Sequence, residues 1–279
     1  MINYTDQITG LMRDIVARVP DLRFIAPDDL LVFGRFGRSG ADGPFATCHC
    51  LSLPPSEPGY YFWRDRRSGR LTRRSEWFVT KSPRVSLESR PVHYMISFAL
   101  PRFCDQTLVR SRKRALYPGR EPWVGKLDTV VHELYHIAPG GEGLRRMHRA
   151  DGSESSLIHS PEFFADVVRM VNEYLDSRPD PETYAFLTHD FAGLDARYGG
   201  VIGTTFRTFP SFPQRYVERL VPQPELAHDE GADAGFVLER LHQKRVPTCY
   251  TEADLRTRQF LRSGVRTSRV GKDRISRAA

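Results

Sequence analysis

Apolar residues recur at three- and four-residue steps near the start of the chain, where Ile8, Leu11, Met12, Ile15, Val16 and Val19 fall on one stripe. The spacing predicts an amphipathic helix over 6–18, with Thr5 as N-cap and Pro20 as stop. Residues 30–36 read as a strand and 38–44 as a Gly-containing turn. Residues 46–53 alternate and put Cys48 and Cys50 on one face, so the two strands predict a hairpin. Residues 60–63 and 77–80 are strand-like and bracket an Arg-rich stretch. The best strand pattern lies at 92–100. A helix is predicted over 127–138, with Asp128 as a candidate cap at its start. After a loop at 139–158, a second amphipathic helix runs over 161–175, with Ser160 as N-cap and Pro161 at its first position. Two short helices are predicted at 235–245 and 252–262, the latter capped by Thr251.

Composition narrows the class. In 279 residues, 40% hydrophobic and 27% charged content is enough to bury a core, which argues against wholesale disorder. No apolar run approaches the roughly 18 residues that span a bilayer, and Asp6, Arg13 and Asp14 interrupt any signal-peptide core. Four unevenly spaced cysteines do not make a disulfide scaffold. The expectation is a soluble, reduced, cytoplasmic protein with no membrane partner.

Charge adds a partner hypothesis. The net +7 is unevenly spread: residues 60–126 hold 16 basic and 5 acidic residues, residues 251–279 hold 8 and 3, and the remainder is acidic. Arg64, Arg66, Arg67, Arg70, Arg73 and Arg74 stand among Tyr60, Tyr61, Phe62, Trp63 and Trp77, a mixture in which aromatic faces stack on bases while arginines meet phosphate. A solvated hairpin has the same composition, so nucleic acid is a candidate partner through blocks 60–126 and 251–279.

The chemistry is concentrated in His132-Glu133-Leu134-Tyr135-His136. On a helix, positions i and i+4 share a face, so two imidazoles can grip one Zn2+ ion. Glu133 follows the first ligand, where its carboxylate can act as general base on an activated water. With nine histidines in the chain, a chance match is expected only on the order of 0.02 times. A catalytic zinc takes three protein ligands and keeps one open position. The third is sought downstream among Glu142, His148, His159 and Glu162. His159 is favoured because it opens the second helix, and His148 is the alternative third ligand or a substrate contact. Tyr135 is a weaker oxyanion or substrate contact, since its place on the helix points it away from the metal.

Here a resemblance enters. His159-Ser-Pro-Glu-Phe163 following the first motif resembles SprT-like zinc peptidases, which carry a third histidine opening a later helix. The N-terminal helix, Ala46-Thr-Cys48, Tyr94-Met-Ile-Ser-Phe98, the HELYHI segment and Gly143-Leu-Arg-Arg-Met-His148 are similar to a phage metallopeptidase family, over about residues 6–175. The resemblance implies an α+β fold, a small minigluzincin-like zincin with a short mixed β-sheet, an active-site helix and a C-terminal helical extension. It divides the chain into a zincin-like metallopeptidase domain at 1–178 and an extension with a basic tail at 179–279. It implies zinc-dependent hydrolysis of a protein or peptide substrate, with the 92–100 strand as the edge along the cleft.

Other signals are weaker. Cys48-His49-Cys50 reads as small buried thiols on a strand, because neither Cys104 nor Cys249 completes a metal spacing. His189-Asp190 lacks a nucleophile elbow. Two alternatives to the peptidase stand beside it. One is a regulatory protease of the repressor-cleaving type, which asks for a DNA-reading helix pair at 235–262. The other is a zinc-stabilised nucleic-acid-binding module, which has no need of Glu133.

Overall fold

Residues 94–101 are apolar towards both faces, and a strand of that kind belongs inside a sheet rather than at its rim. A computed structural model of the chain, which describes residues 1–52, 60–64, 71–110, 112–147, 159–214, 216–219 and 249–266, shows this arrangement. The first half runs β1 (Ile2–Asn3), α1 (Tyr4–Arg18), β2 (Leu30–Gly37), β3 (Ala46–Cys50), β4 (Tyr60–Arg64), β5 (Leu71–Lys81), β6 (Arg84–Leu87), β7 (Arg90–Pro91), β8 (Tyr94–Pro101) and α2 (Val124–Tyr135). The second runs α3 (Pro161–Asp176), α4 (Pro181–Tyr184), α5 (Phe191–Tyr198), β9 (Val201–Phe206), β10 (Tyr216–Arg219), β11 (Cys249–Tyr250), β12 (Leu255–Leu261) and β13 (Gly264–Val265). The architecture is mixed α and β, with helices packed beside several small sheets.

Sheet order corrects two expectations. The order is β2-β8-β3, with β2 parallel and β3 antiparallel to β8, so β2 and β3 are not a hairpin. Every residue of β8 is buried, and it lies at the centre of the sheet, not along the cleft edge. The edge is β3, whose alternation of buried and half-buried residues suits a strand with one covered face. Cys48 and Cys50 are buried on that face, as the alternation predicts.

The first helix starts two residues earlier than its pattern suggests, and Asn3 is its cap, accepting from the Asp6 N–H. Thr5 is buried and accepts the Thr204 N–H instead. Helix α2 also starts early, at Val124, so Asp128 is an interior residue and not a cap. In α3 both expectations hold: Ser160 accepts from Phe163 N–H, and Pro161 is the first helical residue.

Residues on both sides of position 178 share one core. Ile8, Leu11 and Ile15 of α1 and Leu127, Val130 and Val131 of α2 belong to the same buried cluster as Phe186, Leu194, Val201 and Phe260. Strand β1 pairs with β9, and β9 pairs with β12. Gly34 of β2 makes room for the incoming ring, since a Cβ there would lie 2.5 Å from Phe260. The expected break at 178/179 is therefore not a break in the core. Nor is residues 252–262 a helix: Thr251 caps only a single 3-10 turn, Glu252–Asp254, and the chain then enters β12. The helix expected at 235–245 and the tail at 267–279 lie outside the described residues. Among the described residues, no helix is long and apolar enough to cross a membrane.

Candidate metal centre

Leu127, Val130, Val131 and Leu134 are fully buried and fix the rotation of α2. That rotation turns His132 and His136 toward the start of α3. His159 stands directly before the Ser160 cap and meets them there. The three Nε2 atoms form a triangle: His132 to His136 is 3.1 Å, His132 to His159 is 3.0 Å and His136 to His159 is 3.0 Å. Phe163, one turn into α3, is the floor. Its ring centroid lies 4.9 Å from His132, 5.0 Å from His136 and 5.3 Å from His159.

The triangle has the chemistry of a cation site. A neutral imidazole offers each Nε2 as either a donor or an acceptor. Three mutually facing atoms with two states must include at least one like pair, so hydrogen bonds cannot satisfy the set. Three nitrogen ligands about 2.0–2.1 Å from a tetrahedral zinc stand roughly 3.3–3.4 Å apart, close to the spacing observed. Burial, followed by the neighbouring histidines and Lys113, holds the His132 imidazole far below its ordinary range. His136 is pushed down to about 4 by burial and then by His159, while burial and Lys113 lower His159. All three favour the neutral, ligating form. The Nδ1 atoms of His132 and His136 are buried without a hydrogen-bond partner among the described residues, so packing on Phe163 orients the two rings.

Glu133 lies on the adjacent face, turned toward β3. It is buried, and its carboxylate accepts the Cys48 backbone N–H. Burial pushes its acid up to about 7, against the opposing pull of that hydrogen bond, Lys113 and Arg35. A cavity of about 430 Å³ opens between β3 and α2, lined by Phe45, Ala46, Cys48, Lys113, Thr129 and Leu144 together with His132, Glu133, His136 and His159. The loop after α2 is tied back to the sheet: Gly143 N–H donates to Ser52 O, and Tyr94 hydroxyl donates to Gly143 O at 2.7 Å.

The remaining expected site residues fall elsewhere. His148 lies outside the described residues, as do Arg66, Arg67 and Arg70. Arg64 is on β4, and Arg73 and Arg74 are on β5, paired opposite Trp63 and Phe62. The Tyr135 hydroxyl donates to Asp166 at 2.6 Å and does not line the cavity. Glu142 is exposed in the loop, and Glu162 lies in the first turn of α3, outside the convergent set. His189 and Asp190 are structural: Asp190 caps α5 by accepting the Gly193 N–H.

Sequence reasoning missed Phe163 as the floor, the Cys48 N–H as partner of Glu133, and Lys113. Phe163 was within reach, since it ends the His159 motif. Lys113 lies inside the basic block 60–126, whose charge suggests a nucleic-acid partner rather than a place at the metal site. Compared with known protein families, curated proteins and solved structures, the chain matches none of them.

Proposed function

We propose that the chain is a zinc-dependent peptidase of zincin type, with His132, His136 and His159 as the metal ligands and Glu133 as the general base. The observation that carries this reading is the convergence of three neutral Nε2 atoms beside a buried glutamate in one cavity. A structural zinc site closes with four protein ligands, whereas the three that converge among the described residues leave a position for substrate or water. When bound, zinc supplies Lewis-acid chemistry: it polarises the scissile carbonyl and makes water nucleophilic near neutral pH.

The chain's own residues do the rest. A Glu133 carboxylate oxygen takes a proton from the attacking water, whose oxygen bonds to the carbonyl carbon. The same oxygen delivers that proton to the leaving nitrogen as the C–N bond breaks. The Cys48 N–H holds the carboxylate in place, and burial raises its affinity for the proton above that of an exposed carboxylate, which suits it to both transfers. Edge strand β3 positions the substrate. Because the Ala99 N–H donates to Phe45 O, the backbone groups of Ala46 and the Cys48 carbonyl point away from β8, where an extended peptide can pair with them.

Two measurements test the reading. Elemental analysis of purified protein is expected to find about one zinc per chain. Glu133→Gln is expected to keep the metal and lower hydrolysis of a peptide mixture, followed by mass spectrometry, by about 10²–10⁴-fold. A folded protein that takes up no zinc sinks the reading. So does undiminished cleavage by the variant.

A further inference from the structure

A second charged side chain besides Glu133 lines the cavity of the histidine cluster, and the peptidase reading gives it no task. Lys113 lies in a short 3-10 turn, Arg112–Leu116, and lines the same cavity as the three histidines and Glu133. Its ammonium pairs with Asp128, which is 1% exposed and sits one helical turn before His132. The same carboxylate accepts the Tyr117 hydroxyl at 2.7 Å. The ammonium is therefore held by a buried, doubly engaged partner, while its side chain stays 22% exposed toward the cavity. Its field reaches His132, Glu133 and His159 alike.

We propose that Lys113 is a specificity-determining residue and that the site, on the peptidase reading, prefers peptides carrying a carboxylate close to the scissile bond. With zinc bound, the ion and the ammonium stand against two carboxylates, Glu133 and Asp128, a net positive balance; Asp128 lies behind the ammonium and outside the cavity lining, so an anionic group entering beside the ion and Lys113 is attracted and a cationic one is repelled. The partly excluded cavity strengthens this selection relative to open water. The carboxylate has two sources, an acidic side chain or a free C-terminus, with the same chemistry. Phe45 and Leu144 supply the apolar part of the wall.

The test uses the zinc-loaded full chain and calorimetric titration with two hydroxamates, succinic acid monohydroxamate and its uncharged methyl ester. Both present the same metal-binding group. The charged probe is expected to bind about tenfold tighter or more, the scale of one partly buried ion pair. Lys113→Arg keeps the preference. Lys113→Met brings the ratio to about one, and the double variant Lys113→Met with Asp128→Asn does the same without leaving a bare buried carboxylate. Two peptide hydroxamates assign the source, one with a Glu side chain and an amidated end, the other with Ala and a free end. The source is the one whose advantage Lys113→Met removes. A ratio near one in the parent protein, or a preference that survives in both Met variants, overturns the proposal while leaving the peptidase reading intact. Failure of the protein to bind zinc, or of either hydroxamate to bind the loaded protein, overturns both.

Discussion

Two cavities of similar size lie along α2, and only one has the makings of a reactive site. The first, about 430 Å³, holds the histidine triangle at the C-terminal half of the helix. The second, about 460 Å³, lies at the N-terminal half and is lined by Asp105, Gln106, Lys126, Asp190 and Arg262. The second is the more richly charged. Yet its polar groups are committed to the fold: Lys126 donates to the carbonyls of Leu187 at 2.9 Å and His189 at 2.6 Å, and Gln106 donates to Gly125 O and Thr129 at 2.9 Å. Asp105 accepts the Phe191 N–H at 2.9 Å, and Asp190 caps α5. In the first cavity the three Nε2 atoms face one another and cannot all be satisfied. A pocket with charges is thus a weaker sign of chemistry than convergent groups that the fold leaves unanswered.

Damage to the first cavity is expected to be the most costly. Phe163→Ala removes a fully buried ring that packs against all three histidines. It is expected to lower stability by about 3–5 kcal/mol in urea unfolding of the metal-free protein. A loss below about 1 kcal/mol denies Phe163 its place as the floor. Next, His159→Ala is expected to weaken zinc binding by about 10²–10³-fold, one ligand's share of roughly 10–16 kcal/mol over four positions. Competition with a chromophoric chelator measures it. His148→Ala is the control, and a larger loss there transfers the third-ligand role to His148.

These two experiments also mark how far the sequence reached. The facing of His132 and His136 was legible because both candidate ligands sit on one helix, where spacing alone sets their geometry. His159 was legible because Ser160 and Pro161 announce a helix start directly after it. Lys113 was not, since an irregular turn carries it to the site and only tertiary packing brings it within reach of Asp128. Strand order was half legible. The two-sided apolar pattern of 94–101 and the one-sided alternation of 46–50 carry the difference between centre and edge, yet the resemblance implied that the 92–100 strand was the edge, and adjacency in sequence suggested a hairpin that β8 interrupts. At 251–262 the cap at Thr251 is real but opens only a 3-10 turn in place of the short helix expected there, because a cap specifies where a helix begins and not how far it runs.

Acidity separates the cavities by sign. Glu133 is pushed up to about 7 from 4.5 by burial, so below pH 4.5 both the folded and unfolded chains carry the proton and the advantage of the neutral acid is complete. Between pH 4.5 and 7 the unfolded chain releases that proton first, and stability falls by roughly 3 kcal/mol. Metal-free Glu133→Gln is expected to lack this component, so the parent loses about 3 kcal/mol relative to the variant across that window. Parallel stability curves in urea at several pH values contradict it. Lys126 runs the other way: burial pulls it down to about 8, so its charged form opposes folding and stability rises as pH climbs from 8 toward 10.5.

The smallest effect is expected at the second cavity, and it is the sharpest check on the contrast. Lys126→Met keeps the length and apolar stem of the side chain but leaves the Leu187 and His189 carbonyls without their donor. Unpaired buried acceptors cost about 1–3 kcal/mol, and loss of a buried ammonium offsets part of that. Urea unfolding should therefore show a modest loss at neutral pH. The alkaline rise in stability should flatten, because the group that titrates there is gone. Zinc affinity should stay within about twofold of the parent, since helix α2 keeps its buried face and Lys126 lies outside the histidine cavity. A variant that unfolds no more easily yet loses zinc would mean that the two ends of α2 are coupled, and the division between a reactive cavity and a satisfied one would fall.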